Sequence, residues 1–117
     1  MNIKYRTAKL EGECTVLKKA KKKYGSIVAE KLFATIEYIE ASASLVDVRE
    51  YPSFHFHNLK GDKKGFYAID LGRKLGWRLL VQPLDAIGEP CTTDIVFSTK
   101  AIEIIDINVE EVTNHYE

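Results

Sequence analysis

The feature that most constrains this chain is a change of apolar period at Pro52. Before it, apolar residues recur at helical spacing; after it, they alternate. Proline removes a backbone donor and clashes with the preceding turn, so a helix stops there. A period of two belongs to a strand with one buried face. Leu10, Cys14, Leu17 and Tyr24 fall at spacings of four, three and seven, which predicts one helix from Thr7 to Tyr24 with Gly25 at its end. Ser26 is expected to cap a second helix, whose stripe is Val28, Leu32, Ile36 and Ile39, widened by Phe33. A helical hairpin of this kind needs something to cover its apolar face.

The rest of the chain supplies the cover. Asn2 to Tyr5 reads as a short first strand. Phe54 and Phe56 alternate with His55 and His57. Tyr67, Ile69 and Leu71 oppose Phe66, Ala68 and Asp70, and Trp77, Leu79 and Val81 oppose Arg78, Leu80 and Gln82. Turn residues separate these runs at Gly61, Asp62 and Gly65, and again from Gly72 to Gly76. Pro83 to Pro90 reads as a loop. Ile102, Ile104, Ile105, Ile107 and Val109 form a nearly continuous apolar run, expected to be a central strand buried on both faces. An acidic tail, Glu110 to Glu117, follows. The expectation is an α+β fold: a short N-terminal strand and a two-helix hairpin packed on an antiparallel sheet of about four strands, in a single domain over residues 1–117.

Seventeen basic and seventeen acidic residues leave no net charge, but they are segregated. Residues 1–31 carry +6, residues 32–48 carry −3, residues 49–78 carry +4 and residues 79–117 carry −7. A fold built from these segments is expected to show a basic face, which attracts phosphate backbones whatever the total charge. No apolar stretch approaches the roughly 18 residues of a membrane span. The first ten residues are polar, unlike the core of a secretion signal. With only Cys14 and Cys91, two reduced thiols in a cytoplasmic protein are expected.

Several groups could carry chemistry. His55 and His57 would point to one side of a strand, as a chelating pair does, but no third ligand stands at a convincing spacing, so no metal is assigned. Cys91, Asp94 and His115 contain the types of a thiol nucleophile without a spacing that unites them. No phosphate loop or dinucleotide motif is present, so no cofactor is expected. A stronger set lies on the sheet: Lys60 at a strand end, Arg73 in the next turn, Arg78 on the following strand, and His115 and Tyr116 last. In a meander these could converge on one concave face. Arginine grips phosphate bidentately, histidine moves protons near neutral pH, and tyrosine stacks on a base. Arg78 could equally be occupied by a salt bridge to Asp70 or Asp106, and His115 and Tyr116 could be a solvated terminus.

The ordered segments His57-Asn58-Leu59-Lys60-Gly61-Asp62, Gly65-Phe66-Tyr67-Ala68-Ile69-Asp70-Leu71 and Trp77-Arg78-Leu79-Leu80, with the tail Ile107 to Tyr116, resemble the RelE/ParE superfamily of type II toxins. The chain looks most like the HigB, or proteic killer, branch, and the likeness includes the Lys22-Lys23-Tyr24-Gly25 turn. The resemblance implies a ribosome-dependent mRNA endonuclease that needs no metal or cofactor. The substrate's own 2′-hydroxyl attacks the adjacent phosphate. It implies that Arg78 and Arg73 stabilise the phosphate charge, that His115 transfers a proton with Tyr116 as orienting or stacking partner, and that Lys60, with Lys63 and Lys64, holds RNA. His115 and Tyr116 reverse the family's terminal order, and Ala68 and Asp70 stand where members often carry lysines. It also implies a cognate HigA-like antitoxin carrying a helix-turn-helix. Two other readings stay open on the same fold: a ParE-like protein inhibitor of DNA gyrase, and a non-catalytic binding protein.

Overall fold

The computed structural model describes residues 1–114, apart from the side chain of Arg73. The expected α+β architecture is present. Strand β1 (Asn2–Tyr5) leads into helices α1 (Ala8–Thr15), α2 (Leu17–Tyr24), α3 (Ser26–Ala41) and α4 (Leu45–Glu50). Strands β2 (His57–Asn58), β3 (Tyr67–Asp70) and β4 (Arg78–Leu84) follow, then a short helix α5 (Thr93–Val96) and strand β5 (Asp106–Thr113). The strands form one five-stranded sheet in the order β1-β5-β4-β3-β2. β1 runs parallel to β5, and the other pairs are antiparallel.

The first helix is not continuous. Thr7 caps α1, its hydroxyl accepting from the Leu10 amide at 3.1 Å. Val16 then turns extended, and α2 starts afresh behind it. Thr15 and Val16 are both β-branched and disfavour helix interior. The break lets Lys19 fold back over Gly12, where an added Cβ would sit 3.4 Å from Nζ. Ser26 is not a cap. Gly25, at φ 85°, occupies that position: its amide donates to Lys21 O at 2.9 Å and its carbonyl accepts from Ala29. A left-handed residue joins the two helices, and glycine takes that conformation without the Cβ penalty.

The α3 stripe is as expected, with Val28, Leu32, Ile36 and Ile39 buried together with Ala29. It meets Tyr67, Ile69, Leu71, Leu79, Val81, Ile107 and Val109 from the sheet in one core cluster. The alternation read from residues 66–71 and 77–82 thus holds. Four other expectations fail. Residues Thr99–Glu103 form a 3₁₀ turn, so Ile102 and Ile105 are exposed and the strand begins only at Asp106. β5 is central, between β1 and β4, but buries Ile107 and Val109 on one face rather than both. The 83–90 segment is loop only after Leu84, because Pro83 and Leu84 extend β4 opposite Ile107 and Asp106. The acidic tail is correspondingly shorter, since Glu110 to Thr113 belong to β5.

Candidate functional site

The helices cover one face of the sheet. Arg78 opens β4, pairing with Asp70 of β3 on one side and Thr113 of β5 on the other. Its neighbour Leu79 points into the core, so the pleat turns Arg78 to the opposite face. Leu80 continues that face, packing with Leu59, Ala68 and Phe66 in a second, small apolar cluster. The segment between β2 and β3 folds over this cluster. The Leu59 amide donates to Phe66 O at 2.9 Å, and Gln82 Nε2 donates to Gly65 O at 3.3 Å. Lys63 reaches Glu111 of β5, Nζ to Oε1, at 3.1 Å. Lys60 and Lys64 are exposed on the same segment.

Asp70 is the centre of the polar end of this face. Its side chain is only 3% exposed, and Oδ1 lies 3.1 Å from Arg78 Nε. The contact is a charge pair whose N–H is not aligned as a hydrogen bond. Of the two carboxylates the sequence offered to Arg78, the β3–β4 register selects Asp70. The second carboxylate oxygen faces a group the sequence reading had set aside. His55 Nδ1 stands 3.6 Å from Asp70 Oδ2, with the His55 side chain 56% exposed. His55 has φ 45°, the one positive value on a non-glycine residue among those described. The expected strand from Phe54 to His57 is replaced by a 3₁₀ turn at Pro52–Phe54, this left-handed residue, and the two-residue β2. His57 Nδ1 lies 2.8 Å from His55 O, and the two rings are 4.9 Å apart. No cluster of three metal-ligating residues occurs among the described residues.

A cavity of about 430 Å³ adjoins Asp70, walled by Lys31, Thr35 and Tyr38 of α3 and by Tyr51 and Ser53. Tyr38 and Tyr51 stack at 4.5 Å, and Phe54 meets both edge-on. Lys18, Lys19, Lys21, Lys22 and Lys23 are exposed on α2, as the basic segment led us to expect. Tyr24 at the end of α2 packs edge-on against Trp77, the residue before Arg78, with centroids 5.4 Å apart. The lysine-rich end of α2 therefore lies at the Arg78 end of the sheet, in the opposite layer.

Two expected residues lie outside the described residues: His115 and Tyr116. Arg73 begins a 3₁₀ turn, Arg73–Leu75, between β3 and β4, and its side chain is outside the description too. The structure thus brings together Arg78, Asp70 and His55, with Lys63 further along the same face. The thiol reading gains no support: burial, then Asp85, pushes the Cys91 thiol up, and burial pushes Cys14 to about 12, both away from a reactive thiolate. The sequence offered His55 only as half of a chelating pair on a strand; its contact with Asp70 follows from a left-handed backbone that no sequence signal marks. No helix is long and apolar enough to cross a membrane among the described residues. A scan of protein-family models and a search of curated proteins found no match to this chain.

Proposed function

We propose that the chain is the toxin of a type II toxin–antitoxin pair, a cytoplasmic HigB-like endoribonuclease that cuts translated mRNA on the ribosome. The observation that carries this reading is the position of Arg78. It stands on the sheet face the helices leave open, opposite Thr113, the last residue of the strand that leads to His115 and Tyr116. In this reading Arg78, with Arg73, stabilises the charge on the phosphorane as the 2′-oxygen attacks. His115 transfers a proton with Tyr116 beside it. Lys60, Lys63 and Lys64 grip the RNA backbone, and the lysines of α2 add the salt-sensitive attraction that ribosomal RNA exerts on a basic patch. A HigA-like, helix-turn-helix antitoxin neutralises it.

The test is inducible expression in bacteria without antitoxin, with primer extension on a translated reporter and its untranslated twin. Discrete cuts in the translated message alone are expected. Growth arrest with intact mRNA and broken DNA would replace the reading with gyrase inhibition. A non-catalytic binding protein is favoured by one observation: Arg78 and Lys63 each already face a carboxylate, Asp70 and Glu111. No arrest and no cuts would leave an inactive or narrowly host-specific member of the fold and would support that second reading.

A further inference from the structure

Asp70 occupies a position that composition alone makes unfavourable. A carboxylate 3% exposed has lost most of its hydration, and an ion is costly to bury unless partners replace the water. Two partners do so from different elements. Arg78 of β4 faces Oδ1, and His55, between the 3₁₀ turn and β2, faces Oδ2. The backbone at His55 is left-handed, a region uncommon for any residue but glycine and, among the others, most often taken by asparagine, aspartate and histidine. Such a backbone conformation persists where the surroundings hold it. Here it turns Nδ1 toward the carboxylate, so the other ring nitrogen, Nε2, is directed away from Asp70 on a side chain that is more than half exposed. A carboxylate at one imidazole nitrogen fixes the tautomer and stabilises the imidazolium that forms when the other takes a proton.

We propose that His55 is the base that activates the ribose 2′-hydroxyl, and that Asp70 is the positioning residue that couples it to Arg78. This inference rests on the nuclease reading above and adds a group that reading lacks. Nε2 of His55 accepts the 2′-hydroxyl proton as the 2′-oxygen bonds to phosphorus. The P–O5′ bond then breaks with its electron pair on the 5′-oxygen, leaving a 2′,3′-cyclic phosphate. The departing 5′-oxygen takes its proton from water. At 3.6 Å the His55–Asp70 contact exceeds hydrogen-bond length, and contacts of this kind tighten when substrate binds. Among the described residues, the other charged or titratable groups about the pair are His57 of β2, whose ring is 4.9 Å away, Arg78 through Asp70, and Lys31, Tyr38 and Tyr51 across the adjoining cavity.

The experiment measures single-turnover cutting of mRNA on preformed ribosome complexes by the purified protein, from about pH 6 to about pH 8.5, where an imidazole titrates. His55→Gly and His55→Asn both suit the left-handed backbone, so the chemistry is removed without refolding the turn. Wild type is expected to speed up with pH to a plateau. Both variants are expected to lose about 100-fold in rate and the pH inflection with it. Added imidazole should restore cutting to His55→Gly, which a structural role would not allow. Asp70→Asn should slow the cutting step about 10-fold at saturating enzyme while leaving binding to the ribosome complex unchanged, because the imidazole loses the group that positions it. If wild type cuts while His55→Gly and His55→Asn cut at the same rate with the same profile, the inference is overturned and the nuclease reading stands. If wild type cuts nothing, both fall.

Discussion

The two faces of the sheet are built on different principles. The helix-covered face is all dispersion and apolar burial: Leu79, Val81, Ile69, Ile107 and Val109 are each 0% exposed. The open face interrupts its apolar patch of Ala68, Leu80 and Leu59 with a buried carboxylate, a guanidinium and a strained imidazole. Packing accounts for these residues of the first face. It does not explain the second, where apolar residues of similar volume in place of Asp70 and Arg78 would serve stability as well or better. Charges held at such a cost set the open face apart, and the proposed cleavage site lies there.

The contrast can be broken most forcefully on the covered face. Leu79→Ala should cost about 2–5 kcal/mol of unfolding free energy, read from urea titration, because its pocket has no route to collapse between two strands and α3. A loss within 1 kcal/mol, roughly the cost of a surface change, would mean that the core is not packed as described. On the open face, Arg78→Met should destabilise by about 3 kcal/mol, since Asp70 is left buried without its cation. The double variant Arg78→Met/Asp70→Leu should regain most of that. Failure to regain it would show that the pair contributes net stability and would weaken the contrast.

Alkali sharpens the comparison from the covered side. Burial holds the Cys14 thiol protonated, raising it from an ordinary 9.0 to about 12. A raised folded value means that the contribution is fully present below about pH 9 and is lost as pH rises toward 12. Unfolding free energy should therefore fall across that window, and Cys14→Val should flatten the part due to this thiol. An unchanged slope would show that Cys14 is more hydrated than its position implies. The smallest effect belongs to Lys63, whose pair with Glu111 is 44% and 36% exposed. Lys63→Ala should change stability by at most about 1 kcal/mol, less at high salt, while weakening RNA binding.

The covered face was the legible one. Strict alternation around Tyr67 and Leu79 and the four-residue rhythm of α3 encode burial directly, so both survive into the structure. The break at Val16 was not legible, because Leu10, Cys14, Leu17 and Tyr24 fit one helix as well as two. Nor was α4, whose six residues present too few turns to show a period, although Ser44 does cap it by accepting from the Val46 amide at 3.2 Å. The apolar run from Ile102 to Val109 misled, since isoleucine in a 3₁₀ turn and in a strand looks alike one residue at a time. On the open face, Arg78 was visible as an anomaly among Trp77, Leu79 and Leu80. Its partner depended on a register set by the turn through Gly72, at φ 102°, and that is a three-dimensional fact. His55 read as part of an alternating strand, and only its left-handed backbone sets it apart.

We propose that the open face carries out strand cleavage through Arg78. The most direct test expresses Arg78→Lys beside wild type without antitoxin and maps 5′ ends on a translated message. Lysine keeps the charge beside Asp70 and loses the planar fork that grips a phosphate. The prediction is a soluble, folded variant that leaves the message intact while wild type cuts it at discrete sites. Equal cutting by the variant would contradict the claim and move the chemistry away from this face.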